Sequence, residues 1–461
     1  MCIYCRAVSV LTLVGTRLRS ARPLTILAVA WLVLIIYAFP GQMSADTYDH
    51  LEESRLGVYT DGHPPVMNVL FWCADTLIPG PFAVLVLNST VFLAGLYAIL
   101  RRTFTARRAA WIASVLFVFP PIMLPLAAVW KDSVMAAFLL LGIAGLLDSR
   151  RSLRLAALLA VFVATAVRYN AFAATFPFVV LLFEWRPGMH WLKRYAISVA
   201  AWVAVTMAAF TLNSSLTDKQ MHYWHSSLGA HDIVGTLNFI DGTLPDAELE
   251  KLFEGTGLLV HEDIHAYMRK VYTPKTFMEL VTAPKGLWSM PVYGFEAAPE
   301  PQRDAIERAW KQIVTKYPGA YVTHRGAVMV EVLSLTWRRP LGTAPRRDFP
   351  YPQTVINMGL SNRWSALQLE ETSWMIALNR FTPAFEPWMY LAMAFFLLFA
   401  TRRNREVFAF LTSAIIMESS LLVLAPSPDY RYSHWLVVCV CISITLLVTR
   451  GVRAARAAQA A

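Results

Sequence analysis

The chain has 461 residues and a mass of 51.8 kDa; 56% of the residues are hydrophobic and only 16% are charged, against roughly one quarter charged in soluble domains. That balance excludes a soluble enzyme, and nearly uncharged runs such as 109–129 and 407–425 have the length that crosses roughly 30 Å of hydrocarbon as helix. The net charge of +10 does not mark a nucleic-acid binder, because 20 of the 41 Lys and Arg sit in six short segments at the ends of apolar runs, where membrane proteins carry them in cytoplasmic loops.

Apolar length, oriented by those basic ends, predicts ten spanning helices with both termini in the cytoplasm. They fall near 23–40, 81–100, 109–128, 133–148, 155–168, 171–184, 194–212, 385–401, 406–425 and 433–449. The flanking cations are Arg6, Arg17, Arg19 and Arg22; Arg101, Arg102, Arg107 and Arg108; Arg150, Arg151 and Arg154; Arg186, Lys193 and Arg194; Arg402, Arg403 and Arg405; and Arg450, Arg453 and Arg456. No small-residue cleavage pattern follows the first apolar run, which is expected to be an uncleaved helix. After it comes an acidic loop with Asp46, Asp49, Glu52 and Glu53, then Asp61-Gly62-His63-Pro64-Pro65. The next apolar run, 66–77, is too short to span and is expected to lie on the outer interface as a re-entrant or amphipathic helix. Later span ends carry Trp130-Lys131-Asp132, Arg168-Tyr169-Asn170 and Asp429-Tyr430-Arg431-Tyr432.

Residues 213–383 are the only long polar stretch, and the parity of the predicted spans puts them outside the membrane. Within them 303–317 reads as an amphipathic helix with Ile306, Trp310, Ile313 and Val314 on one face, stopped by Pro318-Gly319, and 338–352 reads as loop. The chain therefore divides into a membrane domain at 1–212, with its first external loop at 41–80, an external domain at 213–383, mainly α or α+β, and C-terminal spans at 384–461. The fold class is an all-α polytopic membrane protein. Cys73, Cys439 and Cys441 fall in apolar runs, Cys2 and Cys5 make one isolated pair, and 213–383 has no cysteine, so neither a zinc site nor a disulfide framework is expected. His222, His225, His231 and Asp232 have ligand-like spacing but no Cys or fourth close ligand, and are expected to serve the fold. Glu418, inside an apolar run, reads as a neutral acid bonded to a Ser or Thr. The sequence has no internal repeat, Gly-rich phosphate loop, nucleophile elbow or H-E-x-x-H.

All four polar clusters fall on one side of the predicted bundle. Charges at a membrane boundary are costly unless paired or facing water, so this confinement points to a shared outward cavity rather than to separate interfacial caps. Its candidate residues are Asp46, Asp49, Asp61, His63, Lys131, Asp132, Arg168, Asn170, Asp429, Tyr430 and Arg431. Lys131, Arg168 and Arg431 can grip a phosphate, the arginines in bidentate fashion. Asp46, in preference to Asp49 one helical turn later, can take a proton, and His63 can bind phosphate or metal or fix the turn before Pro64-Pro65. A carboxylate base with cations stabilising a departing phosphate suits a transferase whose donor is a phosphate-linked group embedded in lipid.

Asp46 directly after the first span, D-x-H-P-P at 61–65, W-K-D at 130–132, R-Y-N at 168–170 and the late D-Y-R-Y at 429–432 come in an order that resembles the GT-C class of integral-membrane glycosyltransferases. The resemblance covers about 40–183 and the last three predicted spans. It implies a GT-C-like helical bundle that transfers a hexosyl or pentosyl sugar, with inversion, from a polyprenyl-phosphate donor to a glycan, lipid or protein acceptor on the outer face of a bacterial cytoplasmic membrane. In that scheme Asp46 deprotonates the acceptor and Lys131, Arg168 and Arg431 hold the phosphate; a divalent metal ion assists some relatives by fold and not others. The rival class, a transporter or flippase of lipid-linked glycans, calls for charge pairs and Gly or Pro breaks at mid-membrane. Here, Glu418 apart, the charges gather at one boundary. A non-catalytic scaffold leaves the clustered cations without a use.

Overall fold

The computed structural model describes residues 21–258, 264–282, 297–336, 359, 365–401 and 404–460. The Cys2 and Cys5 pair, the basic residues Arg6, Arg17, Arg19, Arg402 and Arg403, and the loop expected at 338–352 lie outside them. In chain order the helices are α1 Pro23–Ala38, α2 Ala45–Leu56, α3 Pro65–Leu77, α4 Phe82–Arg101, α5 Ala106–Phe117, α6 Pro120–Ala127, α7 Lys131–Leu146, α8 Arg151–Ala166, α9 Ala171–Leu182 and α10 Trp191–Leu216. Next come α11 Tyr223–Ser226, α12 Leu228–Asn238, α13 Asp246–Phe253, α14 Ile264–Val271, α15 Met278–Thr282, α16 Glu300–Lys316, α17 Pro318–Val332 and α18 Ala366–Phe381. The chain ends with α19 Pro387–Ala400, α20 Arg405–Leu424, a 3-10 turn at Tyr430–Ser433 and α21 His434–Ala460. Among the described residues there is no strand, only an isolated bridge between Thr60 and Lys219.

The protein is an all-α membrane protein, but the expectation of ten spans does not hold. Among the described residues four helices are long and apolar enough to cross a membrane, Phe82–Arg101, Trp191–Leu216, Arg405–Leu424 and Tyr430–Thr449, and α5 with α6 makes a fifth if that pair, bent by 70°, counts as one. Pro120 and Pro121 cause the bend: proline lacks the amide proton of the helical ladder, and its ring clashes with the preceding turn. α1, α9 and α19 have 16, 12 and 14 residues, which is about 24, 18 and 21 Å of helix at 1.5 Å per residue, short of roughly 30 Å of hydrocarbon. Counting apolar letters merges such helices with the loop residues at their ends.

The bundle packs through small residues and buried polar links. α7 lies between α4 and α8, α9 between α20 and α10, and α20 against α19 and α21. At the crossing of α4 and α7 a Cβ on Gly95 would stand 2.7 Å from the Leu141 amide nitrogen, and at that of α7 and α8 one on Gly145 would meet the Ala157 Cβ at 2.8 Å. Glycine lets these backbones close up, which is where membrane helices gain van der Waals contact. Trp31 Nε1 donates to Ser89 Oγ at 3.0 Å, Asn88 Nδ2 to Ser133 Oγ at 2.9 Å and Trp435 Nε1 to Ser413 Oγ at 2.9 Å. The outer face of α10, with Trp191, Val203, Met207 and Phe210 exposed, is the kind of apolar surface that lipid covers.

Helices α12, α13, α14 and α16 share a separate core around Ile233, Val234, Leu249, Phe253, Ile306 and Ile313. The amphipathic helix expected at 303–317 is present as α16, and Pro318 both ends it and opens α17. α17 lies on the end of α20 through Val328, Val332, Leu421 and Ala425. Although α18 also falls within 213–383, it packs on the bundle: Gln368 Nε2 donates to the Tyr37 and Phe39 carbonyls at 3.1 and 2.8 Å and so satisfies the end of α1. The run at 66–77 forms α3, packed on α2.

Candidate functional site

The site is built around the start of α2. Ser44 caps that helix, accepting from the Thr47 amide at 3.4 Å, and Trp130 Nε1 holds the same Ser44 hydroxyl at 2.7 Å. Thr47 Oγ1 donates to the Ala128 carbonyl at 3.2 Å, and the Gln42 amide to the Ala127 carbonyl at 3.0 Å. The short α6 therefore carries the acidic loop on its end. Between α6 and Trp130 the backbone turns through Val129, which is fully buried and has φ of 53°, a left-handed conformation that costs a β-branched residue about 1–3 kcal/mol. That turn aims Trp130 at Ser44 and Lys131 at Asp46.

Asp46 is the hub. Arg431 Nη1 lies 2.7 Å from Asp46 Oδ2 and Nη2 lies 3.2 Å from Oδ1, a forked pair, while Lys131 Nζ is 3.2 Å from Oδ2. Asp429, which caps the 3-10 turn, lies 2.7 Å from Arg431 Nε. Lys131 Nζ also donates to His63 Nδ1 at 2.7 Å, and His63 Nε2 stands 3.9 Å from Asp46 Oδ2 and 3.7 Å from Asp49 Oδ2. Arg168 is committed elsewhere, forming an ion pair with Asp132, whose side chain is 1% exposed, and donating from Nε to Asn170 Oδ1 at 2.7 Å. Both guanidinium groups, of Arg168 and Arg431, lie 5.3 Å from the centroid of the Tyr432 ring, and Arg431 is 5.3 Å from that of Trp130.

The two carboxylates differ in what they can do. Burial pushes the Asp46 carboxyl up, but Arg431 and Lys131 outweigh it and hold the group well below the usual carboxylate range. Burial and the Asp46 charge push Asp49 up to about 7, and its side chain is 51% exposed. Burial and then the Lys131 charge push His63 down to about 3, so at neutral pH it is uncharged, accepting on Nδ1 and presenting Nε2–H to the carboxylates. A group poised near 7 suits general-base work, whereas a carboxylate held by two cations suits ordering them.

Two of the expected residues stand apart. Tyr430 donates its hydroxyl to the Pro121 carbonyl at 3.0 Å, with its ring against Phe385, inside the packed bundle and away from the ionic cluster. Asp61 accepts from the Met221 amide and faces a second cavity. Glu418 accepts from Ser433 Oγ at 2.7 Å. Asp232, from the histidine-rich stretch, accepts from Trp310 Nε1 at 3.0 Å and meets Arg325 Nη1 at 3.3 Å. His63, Asp46 and Asp49 do not fit a divalent cation: the Asp46 oxygens already face Arg431 and Lys131, and among the described residues no three His, Cys, Asp or Glu side chains converge as ligands.

Lys131 and Arg168 line a largely apolar cavity of about 480 Å³, walled by Phe172, Phe210, Trp224, Leu421, Leu424 and Tyr432. A neighbouring cavity of about 440 Å³ shares Tyr169, Phe210, Tyr223 and Trp224 with it and adds Asp61, Gln220, His222 and His225. Sequence reasoning missed these walls, because Trp224 and Leu421 are nearly 200 residues apart. Tyr432 stands in the D-Y-R-Y motif without being among the expected site residues; its signal is an aromatic adjoining Arg431 in a tight turn. The chain matches no protein-family model, no curated protein and no solved structure.

Proposed function

We propose that the chain is a GT-C-like glycosyltransferase moving a sugar from a polyprenyl-phosphate donor to a glycan, lipid or protein acceptor. The observation that carries the reading is the apolar cavity of about 480 Å³ with Lys131 and Arg168 on its wall and the Asp46–Arg431 pair beside it. An apolar chain ending in an anion is the ligand such a cavity suits. The polyprenyl chain lies among Phe172, Phe210, Leu421 and Leu424, its phosphate toward Lys131, Arg168 and Arg431. The mixed aromatic and polar cavity across Tyr169 and Trp224 receives the acceptor. Asp49, poised near 7, rather than the expected Asp46, takes the proton from the acceptor hydroxyl as the acceptor oxygen bonds the sugar's anomeric carbon and the bond from that carbon to the phosphate oxygen breaks. The cations stabilise the charge that stays on polyprenyl phosphate.

The same reading puts the chain in a bacterial cytoplasmic membrane as a multi-pass protein, termini inside and the ionic cluster facing out. The transporter reading draws on Glu418, buried within α20; it requires lipid-linked glycan to cross the bilayer with no sugar transferred. Purified protein in liposomes, given polyprenyl-phosphate hexoses and pentoses with glycan acceptors, is expected to release polyprenyl phosphate and lengthen the acceptor. Donor movement across the bilayer without release favours the transporter.

A further inference from the structure

The cations expected to hold a phosphate are not free. Lys131 and Arg431 meet Asp46, Arg431 also meets Asp429, and Arg168 meets Asp132. Each of these three cations already faces a carboxylate before any ligand enters. An added phosphate has to displace one carboxylate or share cations with it, because unpaired charge in a partly buried site is costly. Asp132 is fully buried, and Asp429 is tied to the turn that carries Arg431. Asp46 is different. Its oxygens occupy the Arg431 fork and touch Lys131 at 3.2 Å, with the spacing two phosphate oxygens take on a guanidinium. Its side chain is 20% exposed, against 1% for Asp132, and the first turn of α2 stabilises its charge without the cations.

We infer that Asp46 is the internal counter-ion of the anion site, a carboxylate that holds Lys131 and Arg431 in place and competes with the incoming phosphate for both. This rests on the phosphate-binding role proposed for those two residues. Phosphate then enters by exchange, and the displaced Asp46 turns toward His63 Nε2, 3.9 Å away. The consequence runs against ordinary expectation for a buried ionic residue: removing its charge strengthens ligand binding.

The test uses farnesyl phosphate as probe and farnesol as its uncharged control, titrated into full-length protein in detergent. Asp46→Asn is expected to bind farnesyl phosphate about tenfold more tightly than the parent, with farnesol unchanged; Asp46→Glu, which keeps the competing charge, stays within about twofold. Lys131→Ala weakens farnesyl phosphate binding. Equal or weaker binding by a folded Asp46→Asn overturns the inference. Carbodiimide labelling of the unaltered protein, read by mass spectrometry, covers the case in which Asp46→Asn fails to fold. Farnesyl phosphate should raise labelling of Asp46, and unchanged or reduced labelling refutes the exchange. Sugar transfer assayed on the same preparations separates the two claims, since tighter anion binding without any transfer supports the counter-ion and sinks only the glycosyltransferase.

Discussion

The buried pair of Arg168 and Asp132 sets the sharpest energetic expectation. Asp132 is 1% exposed, it opens α7 beside Lys131, and Arg168 is its ion-pair partner. Arg168→Met keeps the apolar stem but leaves the carboxylate charged and buried, at about 3–5 kcal/mol for an uncompensated buried charge. Asp132→Asn is milder, because the guanidinium keeps Asn170 at 2.7 Å and the face of Tyr432; its cost is about 1.5–3 kcal/mol, that of a hydrogen bond to a charged group. The double variant removes both charges, so its cost should fall well below the sum of the singles, with a coupling of about 2 kcal/mol or more. Unfolding free energies from denaturant titration of the four detergent-purified proteins, followed by tryptophan fluorescence, supply the cycle. An Arg168→Met cost under about 1 kcal/mol, or additive effects, would refute the burial argument and mark both as solvated boundary residues.

The base role proposed for Asp49 carries a pH dependence. A base has to be deprotonated to act, so transfer is expected to be full above about 7 and to fall tenfold per pH unit below it, following the raised Asp49 carboxyl; Asp49→Asn should cost about 10²–10⁴ in rate and abolish that limb, and a parent profile flat from pH 5 to 8 would exclude Asp49. Packing offers a second check. Gly95→Ala puts a Cβ 2.7 Å from the Leu141 backbone and should destabilise by about 1–3 kcal/mol, whereas Gly326→Ala in α17, with nothing within 4 Å of its Cβ, should stabilise by about 0.5–1 kcal/mol; equal thermal shifts for the two would contradict the helix crossing described.

From sequence alone the membrane class was legible, since long runs without charge have few other stable solutions in water, and so was the list of polar residues at the ends of those runs. Helix count was not. Where a helix stops depends on backbone bonding and on whether a proline kinks or ends it, and Pro120-Pro121 broke a run that composition joins while Pro125 and Pro177 sit inside α6 and α9. The roles within the motifs were also hidden. In D-Y-R-Y the tight turn sends Tyr430 into the bundle and Arg431 onto Asp46, 385 residues away in sequence, and no local pattern encodes a partner so distant. Asp46 and Asp49 are equivalent as letters; only the convergence of Arg431 and Lys131 on the first, and the half-exposed position of the second, separates a carboxylate held low from one raised to about 7. Charge type is written in the residue, but its ionisation is set by the neighbours that folding brings within 4 Å.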